Sequence, residues 1–218
     1  MDQAGFFSLG DLQRDRAGLS VGWRRLLLCA LLAGVLASPV VQAEDAPNPL
    51  CAGCHNPDGN STNPEYPKIA DLDAPYIVKQ IRDFKSSKRI SEIMGPIAAQ
   101  IADGEIETLA AYYSKQKRTP GTVADPSLAA QGQLIYDQGV DSTAVPACAG
   151  CHEKDGGGSK KFPRIAGQHT AYLISQMKNF RSGIRNNEPR MRSVVRRLTD
   201  QEIVAVAEYV AGLKGDGQ

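Results

Sequence analysis

The sequence predicts an all-α protein built as a tandem duplication. Apolar residues recur at helical spacing, and no run alternates cleanly enough to suggest a strand. Two identical five-residue words, Cys51-Ala52-Gly53-Cys54-His55 and Cys148-Ala149-Gly150-Cys151-His152, open two stretches that match along their length. His55 and His152 are 97 residues apart, and Met94 and Met191 are again 97 apart. Between them, Pro67-Lys68-Ile69-Ala70 matches Pro163-Arg164-Ile165-Ala166 at an offset of 96, as Tyr76, Gln80 and Phe84 match Tyr172, Gln176 and Phe180. One residue is lost and regained, so the word histidine and the methionine are 39 residues apart in both repeats.

Residues 1–43 read as an export signal. Arg24 and Arg25 form a basic flank, residues 26–37 are an apolar run, Ser38-Pro39 ends it, and Val41-Gln42-Ala43 is an A-x-A-like cleavage site. The run is about a dozen residues, short of the roughly 20 a membrane-spanning helix needs, so a cleaved signal is preferred to a retained anchor. The mature chain then begins at Glu44, with domains expected at 44–121 and 122–218 and a Pro/Gly linker near residues 119–126.

Each repeat follows one plan. After the word comes a turn-forming loop, residues 56–64 and 154–160. An amphipathic helix follows, with the stripe Ile77, Ile81, Phe84 repeated as Leu173, Met177, Phe180. A second helix closes each repeat, striped by Ile106, Leu109, Ala110, Tyr113 and by Ile203, Val206, Ala207, Val210. Thr199 and Glu202 form a capping box before the last helix, with Leu198 and Ile203 placed as a hydrophobic staple. A helix over about residues 127–137 precedes Cys148; only seven residues, two of them prolines, separate Ala43 from Cys51, so the first domain is expected to lack that helix.

Composition asks for a cofactor. Each domain is small enough that a protein-only core is marginal. Beyond residue 43 there is no tryptophan, and the phenylalanines are Phe84, Phe162 and Phe180 alone. C-x-x-C-H is the attachment signature of a c-type haem. The expectation is two covalently bound haem c groups, held as thioethers by Cys51 and Cys54, and by Cys148 and Cys151. The fifth cysteine, Cys29, lies in the signal. Zinc is disfavoured because adjacent Cys-His is not its usual ligand spacing. A dithiol redox pair would want a thioredoxin-like βαβ pattern, which is absent.

His55 and His152 are the expected proximal iron ligands. His169 is the only other histidine, so bis-histidine ligation at both irons is arithmetically impossible within one chain. Met94 and Met191 are the expected sixth ligands, whereas Met177 lies on a helical stripe and reads as packing. An iron closed on both sides has no position for substrate, so the expected role is electron transfer and not catalysis. Pro67 and Pro163 either accept a hydrogen bond from the ligand histidines or fix turns. Tyr76 and Tyr172 reach a haem propionate or, more simply, pack in the core. His169 reads as a solvated loop residue. The arginines at 181, 185, 190, 192, 196 and 197 read as a solvated face, with an acidic partner or propionate charge as the other reading.

Charge is nearly balanced, so nothing points to nucleic acid and none is expected as a partner. The expected mature chain has 21 basic and 21 acidic side chains, 9 and 11 in residues 44–121 against 12 and 10 in residues 122–218. So small a dipole either orients a redox partner or is ordinary solvated surface.

The haem words, Pro-x-Ile-Ala, the helices ending in Phe84-Lys85-Ser86 and Phe180-Arg181-Ser182-Gly183, and the two methionines resemble the diheme cytochromes c of the cytochrome c4 type over nearly all of residues 50–213. The stretch Phe162-Pro163-Arg164-Ile165-Ala166-Gly167-Gln168-His169 is especially similar. The resemblance implies two tandem class I cytochrome c domains related by pseudo-twofold symmetry, in the periplasm of a Gram-negative bacterium. It also implies a soluble or loosely membrane-associated carrier that passes electrons between redox protein partners, towards a terminal oxidase or another respiratory acceptor. The first repeat, with Phe84-Lys85-Ser86 and Ile93-Met94-Gly95, is also similar to the diheme subunit of flavocytochrome c sulfide dehydrogenase. That likeness implies an alternative, the electron-accepting partner of a flavoprotein subunit.

Overall fold

The computed structural model describes residues 48–215, so the expected signal, its cleavage site and Cys29 lie outside the described residues. In chain order the helices are α1 (Pro49–His55), α2 (Ala74–Lys85), α3 (Met94–Ala99), α4 (Ile106–Ser114), α5 (Pro126–Gln138), α6 (Ala149–His152), α7 (Thr170–Ser182), α8 (Pro189–Val195) and α9 (Asp200–Gly212), with short 3-10 turns at Asp103–Glu105 and Asp141–Thr143. Among the described residues there is no strand, only isolated bridges such as Arg89 to Arg185. The fold is all-α. None of the described helices is long and apolar enough to cross a membrane.

The local signals are met one by one. Asn48 caps α1 by accepting from Leu50 N at 2.9 Å, with Pro49 at the first helical position. Thr199 and Glu202 close the capping box of α9, and Leu198 and Ile203 are buried in one cluster, as a staple requires. α7 stops at Gly183, which takes φ +86°. The stripes face inward: Ile77, Ile81, Phe84, Ile106, Leu109, Ala110 and Tyr113 form one core with Leu72, Ala98 and Ile101. In the second repeat Phe180, Val195, Leu198 and Ile203 form one cluster, and Tyr136, Val206 and Val210 another.

The second repeat has an extra layer. α5 lies along α9, and the two backbones meet at Gly132, where an added Cβ would come within 2.0 Å of the Ala205 carbonyl oxygen. Only glycine fits there. α5 also delivers Tyr136, fully buried, whose hydroxyl donates to Glu153 O at 2.6 Å.

The two repeats meet through a reciprocal polar network on α2 and α7. Arg89 donates to Gln80 of its own repeat and to Tyr172 and Gln176 of the other; Arg185 donates to Gln176 and, across the interface, to Tyr76 and Gln80. Each guanidinium also stacks on its own repeat's phenylalanine, Arg89 on Phe84 at 4.5 Å and Arg185 on Phe180 at 4.3 Å. The sequence reading put Arg185 on a solvated face; it is buried, because the other repeat adds Tyr76 and Gln80 to the neutral partners of its own repeat. Burial alone would push the Tyr76 phenol up, but the guanidinium groups of Arg185 and Arg89, with Lys79, outweigh it and hold it below the usual range.

Gly132→Ala should destabilise the holoprotein by about 2–3 kcal/mol, since two helix backbones must separate. Gly104→Ala, whose Cβ meets nothing within 4 Å, should stay within about 0.5 kcal/mol. Thermal denaturation of both variants checks the pair.

Candidate functional site

Each C-x-x-C-H word lies on a short helix that ends abruptly. The residue after the histidine, Asn56 in the first repeat and Glu153 in the second, takes φ +62° or +65° with ψ 160°. That region is almost reserved for glycine, and non-glycine residues held there mark functional turns. The surroundings enforce it. Asn56 Nδ2 donates to Asn60 O at 2.7 Å, and Glu153 O accepts from both Tyr136 and the Gly156 amide.

The sharp turn sends the loop back beneath the histidine. Gly59 and Gly156, both at φ +74°, accept the amide hydrogens of Ile69 and Ala70, and of Ile165 and Ala166. This pins the Pro-x-Ile-Ala word against the haem word. The proline carbonyl then meets the imidazole: His55 Nδ1 lies 2.8 Å from Pro67 O, and His152 Nδ1 lies 2.9 Å from Pro163 O. A carbonyl oxygen only accepts, so Nδ1 carries the proton and Nε2 keeps its lone pair. Both histidines are buried, and burial holds their pKa below the ordinary value against the raising effect of the proline carbonyl. Each ring is thus neutral, oriented and ready to donate from Nε2 to a metal.

Among the described residues the four cysteines are not joined in disulfides, nor gathered with other ligands into a metal-binding group. Burial pushes the Cys51 thiol up, and pushes Cys148 up to about 11. Thiolate chemistry at neutral pH is therefore disfavoured at both. A buried tyrosine stands beside each: Tyr113 of α4 beside Cys51, and Tyr136 of α5 beside Cys148. The Tyr113 hydroxyl is buried against the Cys51 thiol, at the edge of the site.

The structure gathers the remaining candidates around these words. Cys51 and Met94 pack against one core cluster. In the second repeat Met191 packs against one cluster and Cys148 against its neighbour, with Ile135 and Met177 touching both. Met177 is therefore packing, as its place on the helical stripe implied. Met94 opens α3 and Met191 lies in α8, each half-buried. Two free thiols one turn apart, a buried imidazole with a free Nε2 and an apolar lining fit a covalently bound haem in each repeat.

Some residues sit elsewhere than the sequence indicated. Tyr76 does pack against the first core cluster, as its place beside the stripe implied, but its hydroxyl, like that of Tyr172, reaches the arginine network between repeats. His169 is not a free loop residue; it caps α7, and its Nε2 donates to Ser61 O of the first repeat at 2.8 Å. Arg118 was not singled out from the sequence. Its buried guanidinium donates to Ala70 O and Lys68 O of one Pro-x-Ile-Ala word and to Ala166 O of the other. Gln168 adds to this, accepting from Lys68 N and donating to Lys68 O. Only its nearness to the linker marked Arg118 in advance.

These paired sites define a diheme c-type haem protein. The Cytochrome c family model matches residues 129–214. Cytochrome c4 of Thiocapsa roseopersicina is 46% identical over 76% of this chain and 88% of its own length. The crystal structure of reduced recombinant cytochrome c4 from Pseudomonas stutzeri superposes with a TM-score of 0.72 at 35% identity, covering 75% of this chain and 93% of that one. A protein named thiosulfate dehydrogenase electron acceptor, from Stutzerimonas stutzeri, is 34% identical over 91% of this chain and 99% of its own. The chain belongs to the cytochrome c4 family and carries two covalently bound haem c groups in electron transfer.

Glu153 is exposed, and its strained backbone needs no side chain. Glu153→Gly should raise stability by about 1 kcal/mol, strain relief outweighing the extra freedom of the unfolded chain. A higher denaturation midpoint at unchanged haem content is the expected reading.

Proposed function

We propose that this protein is a periplasmic one-electron carrier, not an enzyme, with domains 44–121 and 122–218 each holding one haem. Cys51 and Cys54, and Cys148 and Cys151, are the thioether attachments. His55 with Met94, and His152 with Met191, are the axial pairs. The observation that carries this reading is the repeated imidazole–carbonyl bond, which frees the same ring nitrogen in both repeats. The equal histidine-to-methionine spacing of 39 supports it.

When bound, haem supplies reversible one-electron iron chemistry. The chain's own part is to hold neutral imidazoles rigidly, keep the thiols and rings in an apolar wall, and place a soft thioether on the far side. A methionine ligand favours reduced iron and raises the potential relative to bis-histidine. Closing both axial positions leaves no place for substrate.

On the respiratory reading, electrons leave towards a terminal oxidase or a similar acceptor. A second reading concerns the donor. The relative named thiosulfate dehydrogenase electron acceptor supports reduction by a dehydrogenase acting on a sulfur compound. A flavoprotein partner is the other version of that reading.

Met94→Ala and Met191→Ala should each remove about half of the weak red band that sulfur gives ferric haem, lower one of the two potentials, and open one haem to carbon monoxide. Spectra and potentiometry of the holoprotein variants check this. Unchanged spectra in both would refute the ligand assignment.

A further inference from the structure

The internal duplication supplies its own control for one feature of the surface. Arg190, Arg192, Arg196 and Arg197 lie on or just after α8, the helix of Met191. At the offset of 97 their counterparts around Met94 are Ile93, Gly95, Ala99 and Gln100. The first repeat thus builds the same short helix and presents the same methionine with none of these charges. The fold does not need them.

Their internal contacts are with neutral groups only. Arg190, Arg192 and Arg196 are exposed, and Arg197 donates only to Ser193 O, at 3.2 Å. Among the described residues none of the four is paired with a carboxylate. Of the nearby acids, Asp200 holds Arg181 and Lys178 and Glu202 closes the capping box, while Glu188, four residues before Arg192, makes no ion pair among the described residues. Arg192 and Arg196 stand four apart on one face, where like charges repel. This unfavourable arrangement is confined to one repeat.

The patch borders the second haem site. Arg190 lies over the Phe162 ring at 5.7 Å, and that ring meets the His152 ring edge-on at 6.4 Å. On the equivalent stretch of the first repeat the exposed side chains are the apolar Ile90 and Ile93 and the acidic Glu92, with no exposed arginine among them.

We infer that the arginine face of α8 is the docking surface for a redox protein whose own contact surface is rich in carboxylates, and that electrons cross to that partner through the second repeat. This rests on the electron-carrier reading above. Clustered charge beside the exchange site raises encounter rates and orients the partner, with a strong dependence on salt. The apolar face around Met94 offers an acidic partner no such attraction.

The test uses reduced holoprotein in stopped flow, with hexacyanoferrate(III) as an anionic oxidant and poly-L-glutamate as a macromolecular acidic competitor, at about 0.01 M ionic strength. The variant R190E/R192E/R196E is compared with K88E/K115E/K117E, which makes the same change of charge at exposed lysines of the first repeat. The helix variant should be oxidised about tenfold more slowly and lose its sensitivity to salt and to poly-L-glutamate, while the lysine variant changes by less than about threefold and keeps both. The milder R192Q/R196Q should show an intermediate loss at unchanged haem content, so the result does not hang on the charge-reversed helix folding. Equal slowing of both charge-reversal variants, or wild type indifferent to poly-L-glutamate, overturns the docking face while leaving the carrier reading standing. Wild type that binds carbon monoxide at both haems, or is not oxidised at all, overturns the carrier reading and the docking face with it.

Discussion

The bond from each imidazole Nδ1 to a proline carbonyl is the constraint on which the rest of the structure depends. It fixes which nitrogen is free, which way the ring faces, and how near the Pro-x-Ile-Ala word must lie to the haem word. The strained turns at Asn56 and Glu153 and the left-handed glycines Gly59 and Gly156 serve that closure. Backbone strain is held at these turns because hydrogen bonds on both sides leave the chain no relaxed alternative.

Arg118 makes the two closures one unit. Its guanidinium binds carbonyls of both Pro-x-Ile-Ala words, so the segment that orients His55 and the segment that orients His152 share a single buried cation. Burial, and to a lesser degree Arg164, press Arg118 down to about 9. It remains charged at neutral pH, the carbonyls of Ala70, Ala166 and Lys68 each taking one of its hydrogens. Arg89 and Arg185 join the repeats at the other side, among tyrosine hydroxyls and amide oxygens. Rigid mutual placement is what electron exchange between two sites asks of a scaffold, since reorganisation slows transfer.

The duplication keeps the interior alike and lets the surface diverge. α5, with Gly132 and Tyr136, closes the second repeat against α9. In the first repeat Tyr113 stands beside the first cysteine of the word, from a different helix. The methionine helices differ only outside: α3 is uncharged, and α8 carries and is followed by arginines that no carboxylate of the described residues pairs. Apolar positions are held by packing in both copies, while outward positions are free to answer to whatever each face meets.

Sequence by itself determined the helical class, the duplication, the stripes of α2, α4, α7 and α9, the capping box, the haem words and the cofactor. Each is a local pattern or a spacing, and local spacing carries through folding because helix geometry is periodic. It left open whether Pro67 and Pro163 bind the histidines, and it put His169 and Arg185 in solvent. Tertiary structure alone decided those points. His169, Arg185, Arg118, Tyr76 and Tyr172 all find their partners about 50 to 110 residues away in the chain. No pattern within one repeat reports what the other will place against it. A polar side chain reads as solvated until its partner arrives, because the residue types that face water are the same ones that join two buried surfaces.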